Sequence, residues 1–289
     1  MAASDVAGGL ADWTTGAALA RRVLDTVSER DFPVLVADAM RLLGSFRYPS
    51  SPAEGLAFLR DAVTRCVLVG ARLPEARARL ALGEALVRRG LLSQAGEALG
   101  EALEGARSTH SAPVAAEVSR ALGELRNREG KGAEGEEWLG DADRLFATLR
   151  DEPQRLRTLL SQAHSARLGG ERDAAHELYH AAADRARVLE VPWIELTSLA
   201  GAILTNGGPA SEETGRRWRR AGELIADSRS DWWFPGRELV DAVAIRMALH
   251  AGEGDVAAGI LAHATRAIDA VDPAAAAWLV ADGRSTIGV

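Results

Sequence analysis

The string His176-Glu177-Leu178-Tyr179-His180 has the residue types and spacing that most directly indicate catalytic chemistry. Two histidines at i and i+4 on a helix can bind one zinc ion, and the glutamate beside them can activate a water molecule. A zinc hydrolase also needs a third metal ligand, for which Glu190 and Glu195 are the nearest candidates. The string therefore raises the hypothesis of a zinc hydrolase site at His176, Glu177 and His180.

The segment GKGAEG, residues 130–135, has the glycine spacing GxGxxG of dinucleotide-binding loops. Such a loop follows a strand and precedes a helix, so that the amino terminus of the helix meets a pyrophosphate. Here a helix is predicted on both sides, and no Ser or Thr follows Lys131 as it would in a phosphate-binding loop. We therefore expect neither a nucleotide site nor a bound cofactor.

The composition favours helices and argues against two classes of partner. The 34 basic and 41 acidic side chains give a formal net charge of −7, which disfavours nucleic acid and anionic membranes. Cys66 is the only cysteine, lies in the apolar run AVTRCVLVGA and is expected to be a small core residue. The sequence shows neither a signal peptide nor a membrane span, so a cytoplasmic location is expected.

The elements that carry the candidate motifs recur about every 40 residues, a period that indicates stacked helical hairpins. A proline, suited to the first turn of a helix, is expected to begin each unit. A residue suited to a turn follows it and is glycine in five of six units, because glycine readily ends a helix in the left-handed conformation. The prolines are Pro33, Pro74, Pro113, Pro153, Pro192, Pro235 and Pro273, and the turn residues are Ser50, Gly90, Gly130, Gly170, Gly208 and Gly252.

The second helix of each unit carries one stripe of small, large and small residues with offsets of four and three, which places all three on one face. Such a stripe lets two helices approach closely. The six stripes are Gly55, Leu59, Ala62; Ala95, Leu99, Ala102; Gly135, Leu139, Ala142; Ala175, Tyr179, Ala182; Thr214, Trp218, Ala221; and Ala257, Leu261, Ala264. Since Tyr179 belongs to this stripe, the flanking histidines are expected on a partly solvated face, where zinc chemistry is not favoured.

This pattern resembles the tetratricopeptide repeat (TPR) family, whose first helix carries Leu-Gly, as at Leu82-Gly83 and Leu122-Gly123. The unit of about 40 residues exceeds the usual length of about 34, and such long units are similar to arrays in bacterial multidomain regulators. In two units Leu43 and Ile245 stand where the small residue is expected. The resemblance implies an all-α solenoid, a right-handed superhelix of about six TPR-like hairpins with capping helices.

The predicted organisation is a flexible amino terminus followed by a single repeat domain with a helix covering each end. The boundaries are 1–16 for the flexible segment and 17–289 for the domain. Within the domain they are 17–31 for the capping helix, 33–73, 74–112, 113–152, 153–191, 192–234 and 235–272 for the repeats, and 273–283 for the last helix.

The resemblance also implies an inner groove lined by the first helices. Its charged and amide groups suit a carboxylate-bearing peptide, an acidic partner segment or an anionic effector. The same residues equally suit a solvated face crossed by ion pairs such as Glu84 with Arg88 and Glu124 with Arg128. The implied groove residues are Arg77, Glu84, Arg88, Glu117, Arg120, Glu124, Asn127, Arg128, Arg157, His164 and Arg167.

For function, the resemblance implies a non-enzymatic module that binds a protein or peptide partner in this groove. A small-effector-sensing domain of a bacterial signalling or transcription protein is the first alternative, and the zinc hydrolase is the second. Neither nucleic acid nor a membrane is expected as a partner. The aromatic segment SDWWFPG, residues 230–236, is interpreted either as packing between repeats or as a docking patch.

Overall fold

The computed structural model describes residues 13–206, 212–227 and 234–288, and this part of the chain contains fourteen α-helices and no strand. The protein is an all-α solenoid of helical hairpins. In chain order the helices are α1 (Trp13–Thr26), α2 (Pro33–Arg47), α3 (Pro52–Leu68), α4 (Arg72–Arg89), α5 (Leu92–Ser108), α6 (Ala112–Arg128), α7 (Gly132–Leu149), α8 (Glu152–Leu168), α9 (Arg172–Val188), α10 (Pro192–Asn206), α11 (Glu212–Asp227), α12 (Arg237–His250), α13 (Gly254–Asp269) and α14 (Pro273–Ile287).

The helices follow the predicted repeat closely. Helices α2 to α13 form six consecutive pairs, with α1 before the first pair and α14 after the last. Pro33, Pro192 and Pro273 are the first residues of their helices, as a residue without a backbone N–H allows. The first helix covers Trp13–Thr26, whereas the sequence predicts a capping helix over 17–31. At the other end, Asp272 caps α14, because its side chain accepts a hydrogen bond from the Ala275 N–H at 3.0 Å.

The chain divides into two compact units, residues 1–152 and 153–289, called unit 1 and unit 2 below. Unit 1 contains α1 to α7, and unit 2 contains α8 from Pro153 onward together with α9 to α14. The assignment of 17–289 to a single domain stays a prediction. Among the described residues, no helix is long and apolar enough to cross a membrane.

In unit 1, a glycine of each first helix packs directly against the large residue of the second helix. A Cβ atom added to Gly83 would lie 2.6 Å from Leu99, and one added to Gly123 would lie 2.7 Å from Leu139. In the first hairpin Gly44 takes this position, since its added Cβ would lie 2.8 Å from Leu59. The expectation that Leu43 occupies the small position is therefore wrong, and Gly44 gives this hairpin the same glycine-to-leucine contact as the next two.

Two sets of turns repeat with the same period. Within hairpins, glycines have the left-handed φ values predicted for them: Gly90, Gly130, Gly170 and Gly252 lie between 77° and 80°. Between hairpins a second left-handed set occurs at every fortieth residue, and only its first member is a glycine: Gly70, His110, Arg150 and Glu190. This second set could not be predicted from residue type, because residues other than glycine rarely adopt a positive φ.

Candidate functional site

Arg120 of α6 is the most strongly held of the predicted groove residues in unit 1. Its Nη2 donates to Glu84 Oε1 at 2.7 Å and its Nη1 donates to Glu124 Oε1 at 2.8 Å. The Glu84 bond joins α6 to α4, so Arg120 connects two consecutive first helices. The Arg120 side chain is only 11% exposed. Burial by itself would lower the pKa of Arg120, but the carboxylates of Glu124 and Glu84 raise it above its ordinary value.

Arg88 and Asn127 are also packed into unit 1 and half-buried. The Arg88 guanidinium lies over the ring of Tyr48, 5.5 Å from its centroid. Asn127 of α6 lies over Gly135 of α7, where an added Cβ would be 2.1 Å from its Oδ1. These two side chains therefore pack against neighbouring elements of unit 1, a role that their sequence positions did not indicate. Glu117 and Arg128 on α6 are half-buried too.

Arg77 differs from these residues, because it is exposed at the rim of a cavity. The cavity has a volume of about 500 Å³ and lies between the amino-terminal parts of α2 and α4. No hydrogen bond or ion pair joins Arg77 to the described part of the chain. The cavity is lined by Asp31, Phe32, Pro33, Val34, Leu35, Asp38, Pro74 and Arg77.

Two lining residues of the cavity occupy repeat positions that were not recognised from the sequence: Asp38 that of the predicted groove residue Arg77, and Leu35 that of Pro74. Leu35 precedes Pro74 by 39 residues and Asp38 precedes Arg77 by 39 residues, the same offset that separates Gly44 from Gly83. Assigning the small position to Leu43 shifted the first hairpin by one residue. The glycine at 44 is the signal that would have added Asp38 to the predicted groove residues.

In unit 2, the three predicted groove residues of α8 are covered by aromatic side chains of the same unit. The Arg157 guanidinium lies 5.8 Å from the centroid of a Trp193 ring, and that of Arg167 lies 5.0 Å from a Trp278 ring. His164 Nδ1 is 2.9 Å from the Tyr179 hydroxyl. Burial raises the pKa of Tyr179 to about 12, although Arg167 acts to lower it.

These contacts join α8 to α9, α10 and α14. Trp278 also packs against the hydrophobic core cluster of unit 2 that includes residues of α8 and α10. Within unit 2, the predicted site residues are therefore engaged by the chain itself, with Trp278 of the last helix over Arg167.

The HExxH string lies in α9, and its first histidine packs against α10. His176 Nδ1 is 3.1 Å from the Ala202 carbonyl oxygen and 3.2 Å from Thr205 Oγ1. The two imidazole rings of His176 and His180 are stacked edge to face, with centroids 5.0 Å apart. Glu195, a candidate third ligand, accepts two hydrogen bonds from Arg220 at 3.0 and 3.1 Å.

Across the described ranges, no group of three His, Cys, Asp or Glu side chains is arranged to hold a metal ion.

The glycines of the GKGAEG segment have structural roles. Gly130 has φ 77° in the turn of a hairpin, Gly132 begins α7 and Gly135 packs against Asn127. A helix rather than a strand precedes it, so the geometry of a dinucleotide-binding loop does not form.

The described part of the aromatic segment SDWWFPG packs into unit 2. Phe234 is 2% exposed, and its ring centroid lies 6.4 Å from that of Trp193. Gly236 has φ 84° and lies against Thr197, where an added Cβ would be 2.3 Å from Cγ2. Residues 230–233, with both tryptophans, lie outside the described residues, so the docking-patch interpretation of Trp232 and Trp233 stays a prediction.

Comparison with known proteins identifies the fold. No model of a known protein family matches the chain, and no curated protein matches its sequence. A Rap protein complexed with competence and sporulation factor aligns with 96% of this chain and 74% of its own, at TM-score 0.69 and 14% identity. BtubC (BKLC) from P. vanneervenii aligns with 78% of this chain and 92% of its own, at TM-score 0.54 and 15% identity. The chain thus shares a TPR-like helical repeat fold with these proteins.

Proposed function

We propose that the protein is a recognition module that binds a protein or peptide segment along the first helices of unit 1. The observation that carries the proposal is the row of polar side chains on α4 and α6, several of which the chain already holds in place. Arg120 is fixed by two carboxylates, and Arg88 is fixed by the Tyr48 ring. These contacts hold α4 and α6, which carry Arg77 and Arg128, in one arrangement. A surface that is already held in place loses little entropy on binding, which favours recognition over a merely solvated face.

The comparison with solved structures supports the same proposal at the level of the fold. A Rap protein with a similar fold has been crystallised in complex with competence and sporulation factor. A TPR-like helical array can therefore hold a bound factor. The cavity at Arg77 is lined by the exposed residues Phe32 and Val34, which favours a segment of a larger partner over a small effector, because small-molecule sites enclose most of their ligand.

A peptide-display selection against the immobilised full-length chain tests the proposal. Affinities of the selected peptides are then measured by fluorescence anisotropy for the wild type and for Arg128→Gln. We expect Arg128→Gln to weaken binding about tenfold, because a charged hydrogen bond to the peptide is lost. Arg120 is unsuitable for this purpose, since its substitution would separate α4 from α6 as well.

The matched control is Arg144→Gln on α7, a second helix of unit 1, where the Arg144 side chain is 75% exposed. This variant should bind every selected peptide as the wild type does. Melting temperatures of both variants show whether the fold is retained. The proposal is wrong if no peptide is enriched over an unrelated helical protein, or if both substitutions have the same effect.

A further inference from the structure

The cavity between α2 and α4 combines an apolar wall with the exposed guanidinium of Arg77, which forms no ion pair within the described part of the chain. Phe32 is 59% exposed and Val34 is 40% exposed, and both line the cavity. Leu35, Pro33 and Pro74 extend the apolar wall. Binding of a partner that covers Phe32 and Val34 is therefore favoured, because apolar surface is removed from water.

The charged side chains around the cavity differ in whether they can pair with a bound partner. Asp38 is neutralised within the chain, because Arg41 Nε donates to its Oδ1 at 2.7 Å. Arg77 is exposed at the rim of the cavity. Asp31 is also exposed and lies on the opposite side, two residues before α2 begins. An anionic group of the partner can pair with Arg77, whereas Asp31 opposes it only from a solvated position.

We propose that this cavity binds an apolar side chain of the partner whose neighbouring carboxylate pairs with Arg77. The inference rests on the proposed function and defines where the partner is anchored. The open cavity suits one side chain of a longer segment, with the volume of about 500 Å³ sufficient for a phenylalanine or leucine side chain. The remaining segment would continue along α4 and α6.

Three probes with the same benzyl side chain test this assignment on the full-length chain. They are N-acetylphenylalanine with one negative charge, N-acetylphenylalaninamide without charge, and phenylalaninamide with one positive charge. Binding is followed by methyl-detected NMR titration of Val34 and Leu35, because such small ligands bind with dissociation constants on the order of millimolar. We expect the anionic probe to bind about three- to fivefold more tightly than the neutral one, the size expected of one exposed ion pair.

Two variants at exposed positions assign the charge preference to a residue. Arg77→Gln should remove the difference between the anionic and neutral probes and leave the affinity for the neutral probe unchanged. Asp31→Asn should act in the opposite direction and increase the affinity for the anionic probe by up to about twofold. This pair of opposite effects would not result from a general loss of structure, which thermal melting of both variants checks separately.

Three results would overturn the assignment. The first is the absence of Val34 and Leu35 shifts with the anionic and neutral probes, and the second is equal affinity for both. The third is a preference for the cationic probe, which would mean that Asp31 governs the cavity. Val34 shifts that depend on protein concentration without a probe would instead identify a second copy of the chain as the occupant. Failure of the proposed function can be distinguished from failure of this assignment. The display experiment measures the effect of Arg128→Gln on α6, whereas the probes measure binding at the cavity alone.

Discussion

Arg120 shows that a residue predicted to bind a ligand can instead hold two helices together. The sequence resemblance implies a ligand-binding arginine, but its hydrogen bonds to Glu84 and Glu124 make it a connection between α4 and α6. An arginine side chain that is 11% exposed and hydrogen-bonded to two carboxylates has little freedom to turn toward a ligand. Arg120 therefore stabilises the pairing of α4 with α6, the two helices that carry Arg77 and Arg128, which are proposed to bind the partner.

We therefore predict that Arg120→Met lowers the free energy of unfolding by about 1–3 kcal/mol, because Glu84 and Glu124 lose their shared partner. Urea unfolding monitored by circular dichroism measures the change. Arg144→Met on α7 is the control, since its exposed ion pair with Asp141 should contribute less than about 0.5 kcal/mol. Equal stability losses in the two variants would show that the Arg120 bridge contributes no more than a surface ion pair.

The helices of unit 1 are paired through glycines that have no room for a side chain. Gly123 of α6 illustrates this, because an added Cβ would lie 2.7 Å from Leu139 Cγ and 3.0 Å from the Gly135 carbonyl oxygen. Gly100 of α5 is also inside a helix, but it is exposed and an added Cβ would meet no atom within 4 Å. Substitutions at these two positions therefore distinguish the effect of close helix packing from the effect of helix propensity.

Alanine substitutions at these two glycines should have opposite effects. Gly123→Ala should lower the free energy of unfolding by about 1–2 kcal/mol, because the steric cost of overpacking exceeds the gain in helix propensity. Gly100→Ala should raise it by about 0.5–1 kcal/mol through propensity alone. Thermal and urea unfolding of the two variants test the prediction, and a stabilised Gly123→Ala protein would contradict it.

At the scale of the whole molecule, the features that the sequence predicted are those that depend on local rules. A proline near the start of a helix, a glycine in a turn and a small-large-small stripe constrain only neighbouring residues, and the structure has six hairpins where these features indicated them. The first hairpin was misread by one residue because eleven residues separate Gly44 from Gly55, whereas twelve separate Gly83 from Ala95.

Contacts between residues far apart in the chain could not be read from the repeat. Trp278 covers Arg167 although five helices lie between α8 and α14, and no periodic pattern links the two residues. The cavity at Arg77 depends on Phe32, just before α2, and on Val34 in its first turn, and neither residue belongs to the repeated stripe. The fold class was therefore accessible from the sequence, whereas the availability of each candidate site residue required the packing around it.

A repeat array stabilised mainly by contacts between consecutive elements should open locally and not only as a whole. Cys66 of α3 can report this opening in unit 1, because the residue is 1% exposed. Burial raises the pKa of Cys66 to about 11, and the nearby carboxylates of Asp38 and Glu75 act in the same direction. At pH 8 the native thiol should therefore react very slowly with a disulfide reagent, and the observed reaction should follow transient opening.

Leu99→Ala in unit 1 and Leu239→Ala in unit 2 each remove a fully buried side chain. We expect Leu99→Ala to accelerate labelling of Cys66 about a hundredfold, because such a cavity costs about 2–5 kcal/mol and makes opening of unit 1 more frequent. Leu239→Ala should accelerate it less than about threefold if unit 1 opens on its own. Labelling rates measured in the absence of denaturant decide the matter, with Cys66→Ala as the control for reagent background. Equal acceleration by both substitutions would mean that the thiol becomes accessible only when the entire chain unfolds.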